Sequence, residues 1–299
     1  MGQGTSAVRR ISLMEKIVDV TGGKGGSAFL ILGTEKTALF DCGMAYCAHQ
    51  LIENIERVLD KRTLDYILIS HSHYDHIGAI PYIKKRWINT QVLGADYAKR
   101  ILTRTNALNT IRSFSIQAAK LYHGDAIDNY DDAMMKVDCS IEDGDILDLG
   151  GLTVKVIATP GHTKCSLSFL VDQTLFLSES TGFLSTSGKF YASFITSCAE
   201  AINSINRCQE INPQFIISPH FGLVSANDTP DYWKNCMLAI KASQEFILRL
   251  AEQGYSNEQI LNEYEKEFQD EQSMSEQPIY AFRLNVENMI KTVLREAQH

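Results

Sequence analysis

The sequence predicts an α+β fold, and three observations predict it. Short strand-like runs occupy residues 16–69, a second set occupies residues 146–218, and helical patterning takes over from Thr229 to the end. The chain has 299 residues, 44% of them hydrophobic, so it can bury a sizeable core as one large domain or two small ones.

The first set opens with Lys16 to Val20, Ala28 to Leu32 and Thr37 to Phe40, with the glycine turn TGGKGG after the first run. This reads as a meander. A helix is predicted from Ala48 to Leu59, and then Tyr66, Ile67, Leu68 and Ile69 form a continuous apolar run that suits a strand buried on both faces. Ile77 to Arg86 can be helical because Pro81 is tolerated in a first turn. Residues 95–122 read as a helical insertion, with Leu108, Ile111, Phe114 or Ser115, and Ala118 at helical spacing.

The second set comprises Ile146 to Leu149, Thr153 to Ala158, Ser166 to Val171, Thr174 to Leu177 and Phe215 to Ser218, with a helix from Cys198 to Gln209 before the last. Pro230 starts the first C-terminal helix, and Ser256 with Gln259 forms a capping box for the next. Val286, Met289, Ile290, Val293 and Leu294 make an apolar stripe on the last, which reads as core packing. Residues 1–13 look like an expression leader, residues 14–228 form the main domain, and residues 229–299 form a helical cap expected to pack on that domain.

A formal net charge of -8 argues against a protein that neutralises phosphates, so no nucleic-acid partner is expected. No apolar run approaches the ~20 residues needed to cross a bilayer, and no secretory core is evident; a cytoplasmic protein without a membrane partner is expected. The seven cysteines are scattered with no C-x-x-C pair, which reads as reduced thiols, Cys165 included.

The chemistry concentrates in ISHSHYDHIGAIPYI, residues 69–83, where His71, His73, Asp75 and His76 crowd into six positions directly after a predicted strand. A divalent ion is held by neutral imidazoles and carboxylates converging on a point. In an extended segment side chains two apart share a side, so His71 and His73 can serve one ion while Asp75 and His76, past a bend, face another. His162, Glu179 and His220 each follow a later strand and complete a candidate set of seven ligands. His49, His123 and His299 stand alone and read as ordinary surface or loop histidines. TGGKGG lacks the G-K-[ST] ending of a phosphate loop and reads as a hairpin turn that overhangs the site. The acidic stretch from Asn257 to Glu271 reads as a solvated helix face.

HSHYDH, TPGHT around His162, FLSESTG around Glu179 and SPHFG around His220 together resemble the metallo-β-lactamase superfamily over roughly Met14 to Ala226. The resemblance implies an αββα four-layer sandwich, two facing mixed sheets flanked by helices, with a binuclear site at one sheet edge. It implies His71, His73 and His162 at metal 1 and Asp75, His76 and His220 at metal 2, with zinc the leading candidate and iron or manganese the alternatives. Glu179 stands where the family usually has a bridging aspartate, one methylene longer. A metal-bound hydroxide would be the nucleophile, with Asp75 orienting it.

Within the superfamily the helical insertion and helical C-terminus resemble the glyoxalase-II-like thioesterases, including a quinolone-signal-pathway relative whose C-terminal helices enclose a similar site. This implies hydrolysis of a small ester or thioester. A persulfide-dioxygenase-like iron oxidoreductase, a phosphodiesterase and a regulatory binding protein with a structural metal site are the alternatives. Tyr280, Phe282 and Arg283 are candidate pocket residues, with Arg283 placed to meet a carboxylate. A small-molecule substrate is the expected partner, and self-association is compatible with the sequence.

Overall fold

The computed structural model describes residues 16–122, 126–224, 229–270 and 277–298. The expected leader, His123 and His299 lie outside them. Contacts divide the chain into two compact units, one of residues up to Gly94, Ala98–Ile141 and Asp145–Lys155, the other of Ala95–Tyr97, Glu142–Gly144 and Val156 onward.

Both predicted strand sets form six-stranded mixed sheets, with helices between and after them, so the fold is α+β. The first sheet runs in chain order: β1 (Ile17–Asp19), β2 (Phe29–Leu32), β3 (Thr37–Phe40), β4 (Tyr66–Leu68), β5 (Gln91–Gly94) and β6 (Cys139–Ser140). β1 to β3 pair antiparallel, whereas β3, β4, β5 and β6 pair parallel. Every residue of β3 is buried: Ala38, Leu39 and Phe40 are apolar, and the Thr37 hydroxyl donates to the Thr63 carbonyl at 2.8 Å. Between β3 and β4 lies helix α1 (Ala48–Leu59), whose Ala48, Leu51, Ile55 and Leu59 are buried at near-helical spacing. Leu51, Ile55 and Leu59 each contribute about 1.5–3 kcal/mol by leaving water.

The run after β4 is two helices rather than one: α2 (Tyr74–Ile77), begun by His73 in extended conformation, and α3 (Ile80–Arg86), with its proline in the first turn. The predicted insertion is likewise two helices, α4 (Asp96–Ile101) and α5 (Thr105–Tyr122). The buried stripe of α5 passes through Ile111, Ser115 and Ala118; Phe114 instead turns its ring edge to Tyr74. β5 and β6 escaped the sequence reading because they are short and lack alternation. They are fixed by Asp138, which accepts the Val92 backbone N–H at 2.9 Å and pairs with Lys84 at 2.5 Å.

The second sheet has the order β14-β13-β10-β9-β8-β7, with β7 (Ile146–Asp148), β8 (Thr153–Ala158), β9 (Leu167–Val171), β10 (Thr174–Phe176), β13 (Phe215–Ser218) and β14 (Gly222–Leu223). β10 pairs antiparallel with β9 and parallel with β13. A small ribbon, β11 (Phe183–Leu184) with β12 (Phe190–Tyr191), stands apart.

Helix α6 (Cys198–Glu210) packs on α7 (Thr229–Glu252), and α9 (Ile279–Glu296) packs on α7 and on α8 (Asn257–Phe268). In the core of this unit Leu175 and Ile216 from the sheet share one cluster with Ile205, Tyr232, Val286 and Ile290 from the helices. The α8 capping box is formed, with the Ser256 N–H donating to Gln259 Oε1 at 2.8 Å and the Gln259 N–H to Ser256 Oγ at 3.3 Å. Among the described residues no helix is long and apolar enough to cross a membrane.

Candidate metal centre

In the first unit a candidate loop begins where β4 ends. His71, His73 and His76 stack there, with ring centroids 4.6 Å apart for His71 and His73 and 4.2 Å apart for His71 and His76. His71 and His76 are fully buried, and Asp75 lies one residue before His76 in the first turn of α2. This loop is held from beneath by a residue the sequence reading did not single out, Asp41, at the end of β3.

Asp41 Oδ2 lies 2.7 Å from His76 Nδ1 and accepts the Ser70 hydroxyl at 2.7 Å, while Oδ1 accepts the Ser70 N–H at 2.7 Å. A carboxylate only accepts, so His76 carries its hydrogen on Nδ1 and presents the Nε2 lone pair. The Ser70 hydroxyl spends its single hydrogen on Asp41 and therefore accepts from His71 Nδ1, 3.0 Å away. His71 is thus also set to present Nε2. One buried carboxylate orients two imidazoles.

The loop's backbone is fixed as tightly as its rings. The Cys42 N–H donates to the His76 carbonyl at 2.8 Å, and burial pushes the adjacent Cys42 thiol far above the ordinary thiol range, so it stays protonated. TGGKGG forms the predicted turn, and Gly26 lies so close to the loop that a Cβ there would sit 2.2 Å from the Asp75 carbonyl oxygen. Glycine is required at that approach.

The second unit by itself holds His162, Glu179 and His220. The strand-ending TPG turn takes Gly161 to φ 136, against the backbone of Ala201 in α6, and the His162 N–H donates to Ser180 Oγ at 2.9 Å. Glu179 opens a single 3-10 turn, Glu179–Thr181, capped by the Ser178 side chain. Its carboxylate splits between two imidazoles: Oε1 lies 2.6 Å from His220 Nε2 and Oε2 lies 3.1 Å from His162 Nε2. His220 adopts φ 62, a left-handed conformation that non-glycine residues rarely hold, which is typical of functional sites.

His162 Nδ1 faces the Ser193 carbonyl at 3.1 Å and the Ser193 hydroxyl at 2.8 Å. A carbonyl can only accept, so Nδ1 carries the hydrogen, and Nε2 is the ring atom that faces a carboxylate oxygen. An imidazole nitrogen and a carboxylate oxygen this close share either a proton or a metal cation. The donor chemistry therefore fits a divalent metal, and the chain carries histidine and carboxylate groups that could hold one.

Beside Ser193 lies a small recess lined by Phe183, Tyr191, Tyr264, Phe282, Val286 and Met289, with Gln277 and Asn285 as its amides. Phe183 also sets its ring edge 5.6 Å from the His220 ring. Of the candidate pocket residues, Phe282 lines this recess. Arg283 does not: its guanidinium is engaged by the Glu265 carboxylate and, at 3.0 Å, by Asn262 Oδ1, which ties α9 to α8. Tyr280 is half-buried near the start of α9 and is not part of the lining.

The residues read as bland are placed accordingly. His49 is exposed and pairs with Asp128 at 2.7 Å, and Cys165 is buried, 3.2 Å from Thr163 Oγ1. Asp41 had a usable signal, a carboxylate directly after the buried apolar run Ala38–Phe40. Ser70, Ser180 and Ser193 had none, because serines are common and only the fold brings their hydroxyls to imidazoles.

Comparison with known proteins places these features in context. Residues 21–175 match the metallo-beta-lactamase superfamily. A metallo-beta-lactamase fold-containing protein of Sulfurisphaera tokodaii is 28% identical over 221 residues, 71% of this chain and 78% of that protein. The crystal structure of an archaeal metallo-beta-lactamase superfamily protein from Sulfolobus tokodaii superposes with a TM-score of 0.57 at 25% identity, covering 73% of this chain and 84% of that one. A hydroxyacylglutathione hydrolase of Xylella fastidiosa is 33% identical over 113 residues, 38% of this chain but 31% of that enzyme, so the chain spans about a third of that relative's length. A stereoselective inverting sec-alkylsulfatase from Pseudomonas sp. superposes with a TM-score of 0.66 over 93% of this chain and 49% of that enzyme, at 14% identity, a likeness of fold alone.

Proposed function

Because the chain belongs to the metallo-beta-lactamase superfamily, we propose that it is a metal-dependent hydrolase of a small ester or thioester. The observation that carries the reading is Glu179, whose two oxygens face two different imidazoles. We propose His71, His73 and His162 as the ligands of one divalent ion and Asp75, His76, Glu179 and His220 as those of a second, with zinc first and iron or manganese as alternatives. When bound, such ions would lower the pKa of a coordinated water to roughly 7 and polarise the oxygen of the scissile group. Asp75 accepts a hydrogen bond from the attacking water and orients it. Asp41 keeps His71 and His76 in the ligating tautomer.

The lining of the recess suits a small acyl group: its aromatic and aliphatic side chains favour an apolar group and its two amides can fix one polar atom. Segment similarity to a hydroxyacylglutathione hydrolase supports the thioester class. A net charge of -8 weighs against polyanionic substrates.

The test is hydrolysis by protein stripped with chelator and reloaded with zinc, on parallel thioester, lactone and phosphodiester substrates. Thioester or ester cleavage that disappears with chelator and with His71→Ala supports the reading. Cleavage indifferent to both would overturn it.

A further inference from the structure

The longer arm of Glu179 raises a physical question. A carboxylate on a two-methylene stem has one more rotatable bond than aspartate, so holding both oxygens in place costs more side-chain entropy. Within the second unit a buried hydroxyl is among the groups that oppose that freedom. The Ser193 hydroxyl lies 3.3 Å from Glu179 Oε2 and 2.8 Å from His162 Nδ1, with the serine fully buried.

The hydrogens at this junction can be counted. His162 carries one on Nδ1, since the Ser193 carbonyl at 3.1 Å only accepts. The hydroxyl therefore accepts from the imidazole and has its own hydrogen left for the carboxylate. Ser193 ties the histidine and the glutamate to one point, and its backbone and side chain both hold the same imidazole.

We propose that Ser193 is a positioning residue that adapts the metal centre to glutamate at position 179. It clamps Oε2 beside His162 so that Oε1 stays beside His220. An aspartate would draw its carboxylate back toward the main chain, out of reach of the hydroxyl, so the serine matters only with the longer side chain. This inference rests on the metallohydrolase reading above.

The experiment is a double-mutant cycle with the full chain, read by zinc affinity in chelator competition rather than by turnover. Ser193→Ala is expected to weaken the affected zinc site about 10- to 100-fold, the range for losing an outer partner of a metal ligand. Ser193→Thr, which keeps the hydroxyl, is expected to restore most of it. In a Glu179→Asp background the Ser193→Ala effect is expected to fall below about threefold.

Cobalt(II) absorption spectra give a second signature, shifted in Ser193→Ala and restored in Ser193→Thr. Equal zinc affinity in wild type and Ser193→Ala overturns the inference, and so does an undiminished Ser193→Ala effect in the Glu179→Asp background. Equal weakening by Ala and Thr overturns it too, since packing would then be the cause. Wild-type protein that binds no zinc, iron or manganese is a different failure, that of the metallohydrolase reading itself.

Discussion

Asp41 and His76 lie 2.7 Å apart, Oδ2 to Nδ1, with each side chain 3% exposed. Because the same carboxylate also takes both hydrogens of Ser70, its removal strands three buried donors. Asp41→Ala is expected to cost about 3 kcal/mol or more in stability and to weaken metal binding about 10- to 100-fold. Chemical denaturation of metal-free protein and zinc competition measure the two effects separately. Unchanged zinc affinity in a folded variant would remove Asp41 from its orienting role.

Glu179→Gln keeps the size of the side chain and removes its charge. The fold is expected to survive, since a glutamine amide still offers an oxygen, but one of the two ions is expected to be lost. Metal analysis after desalting should fall from about two ions per chain toward one. Two retained ions would show that the carboxylate is not a ligand.

Gly26→Ala places a Cβ 2.2 Å from the Asp75 carbonyl oxygen and 3.0 Å from the Gly43 Cα, both backbone atoms that cannot swing aside. The expected cost is about 1–3 kcal/mol of stability, with a loss of kcat larger than any change in KM because the strain falls on the Asp75 backbone. Thermal melting together with steady-state kinetics checks it. Wild-type kinetics would separate the glycine turn from the site.

Phe282→Leu widens the recess while keeping an apolar side chain in the α9 core. Stability is expected to change by about 1 kcal/mol, whereas kcat/KM should shift in favour of bulkier acyl groups. A series of thioesters of increasing acyl size reads this out. An unchanged rank order would mean that the acyl group lies elsewhere.

Asp138 supplies a pH dependence remote from the ligands. Burial alone would raise its pKa, but Lys84 and the Val92 N–H outweigh that and hold the carboxyl below the usual range. With the folded value depressed, the stabilisation is present above the unfolded carboxylate pKa of about 3.9 and is lost as pH falls through the folded value. Asp138→Asn is expected to flatten the decline of stability between about pH 5 and pH 3, measured by urea unfolding across that range.

Much of this was legible in the sequence because it depends on local patterns. Thr37–Phe40, Ala48–Leu59, Thr153–Ala158 and Phe215–Ser218 begin and end where the apolar runs do. β5, β6 and the β11–β12 ribbon were not legible, since their residues show no apolar pattern and are fixed by partners such as Asp138 for β5. At the site, the ligand types announced themselves by density, as in HSHYDH. The groups that aim them did not: Asp41, Ser70 and Ser193 matter through hydrogen bonds made over long sequence separations. Arg283 shows the converse error, a charge near the expected pocket that is already satisfied by Glu265 and Asn262.

The central claim is that metal bound by these side chains carries hydrolysis. Zinc titration of chelator-treated protein, with thioesterase activity followed in the same samples, tests it most directly. The account predicts activity that rises with bound zinc and saturates near two ions per chain, with neither seen in His71→Ala. Full activity in metal-free protein, or in a His71→Ala variant, would contradict it.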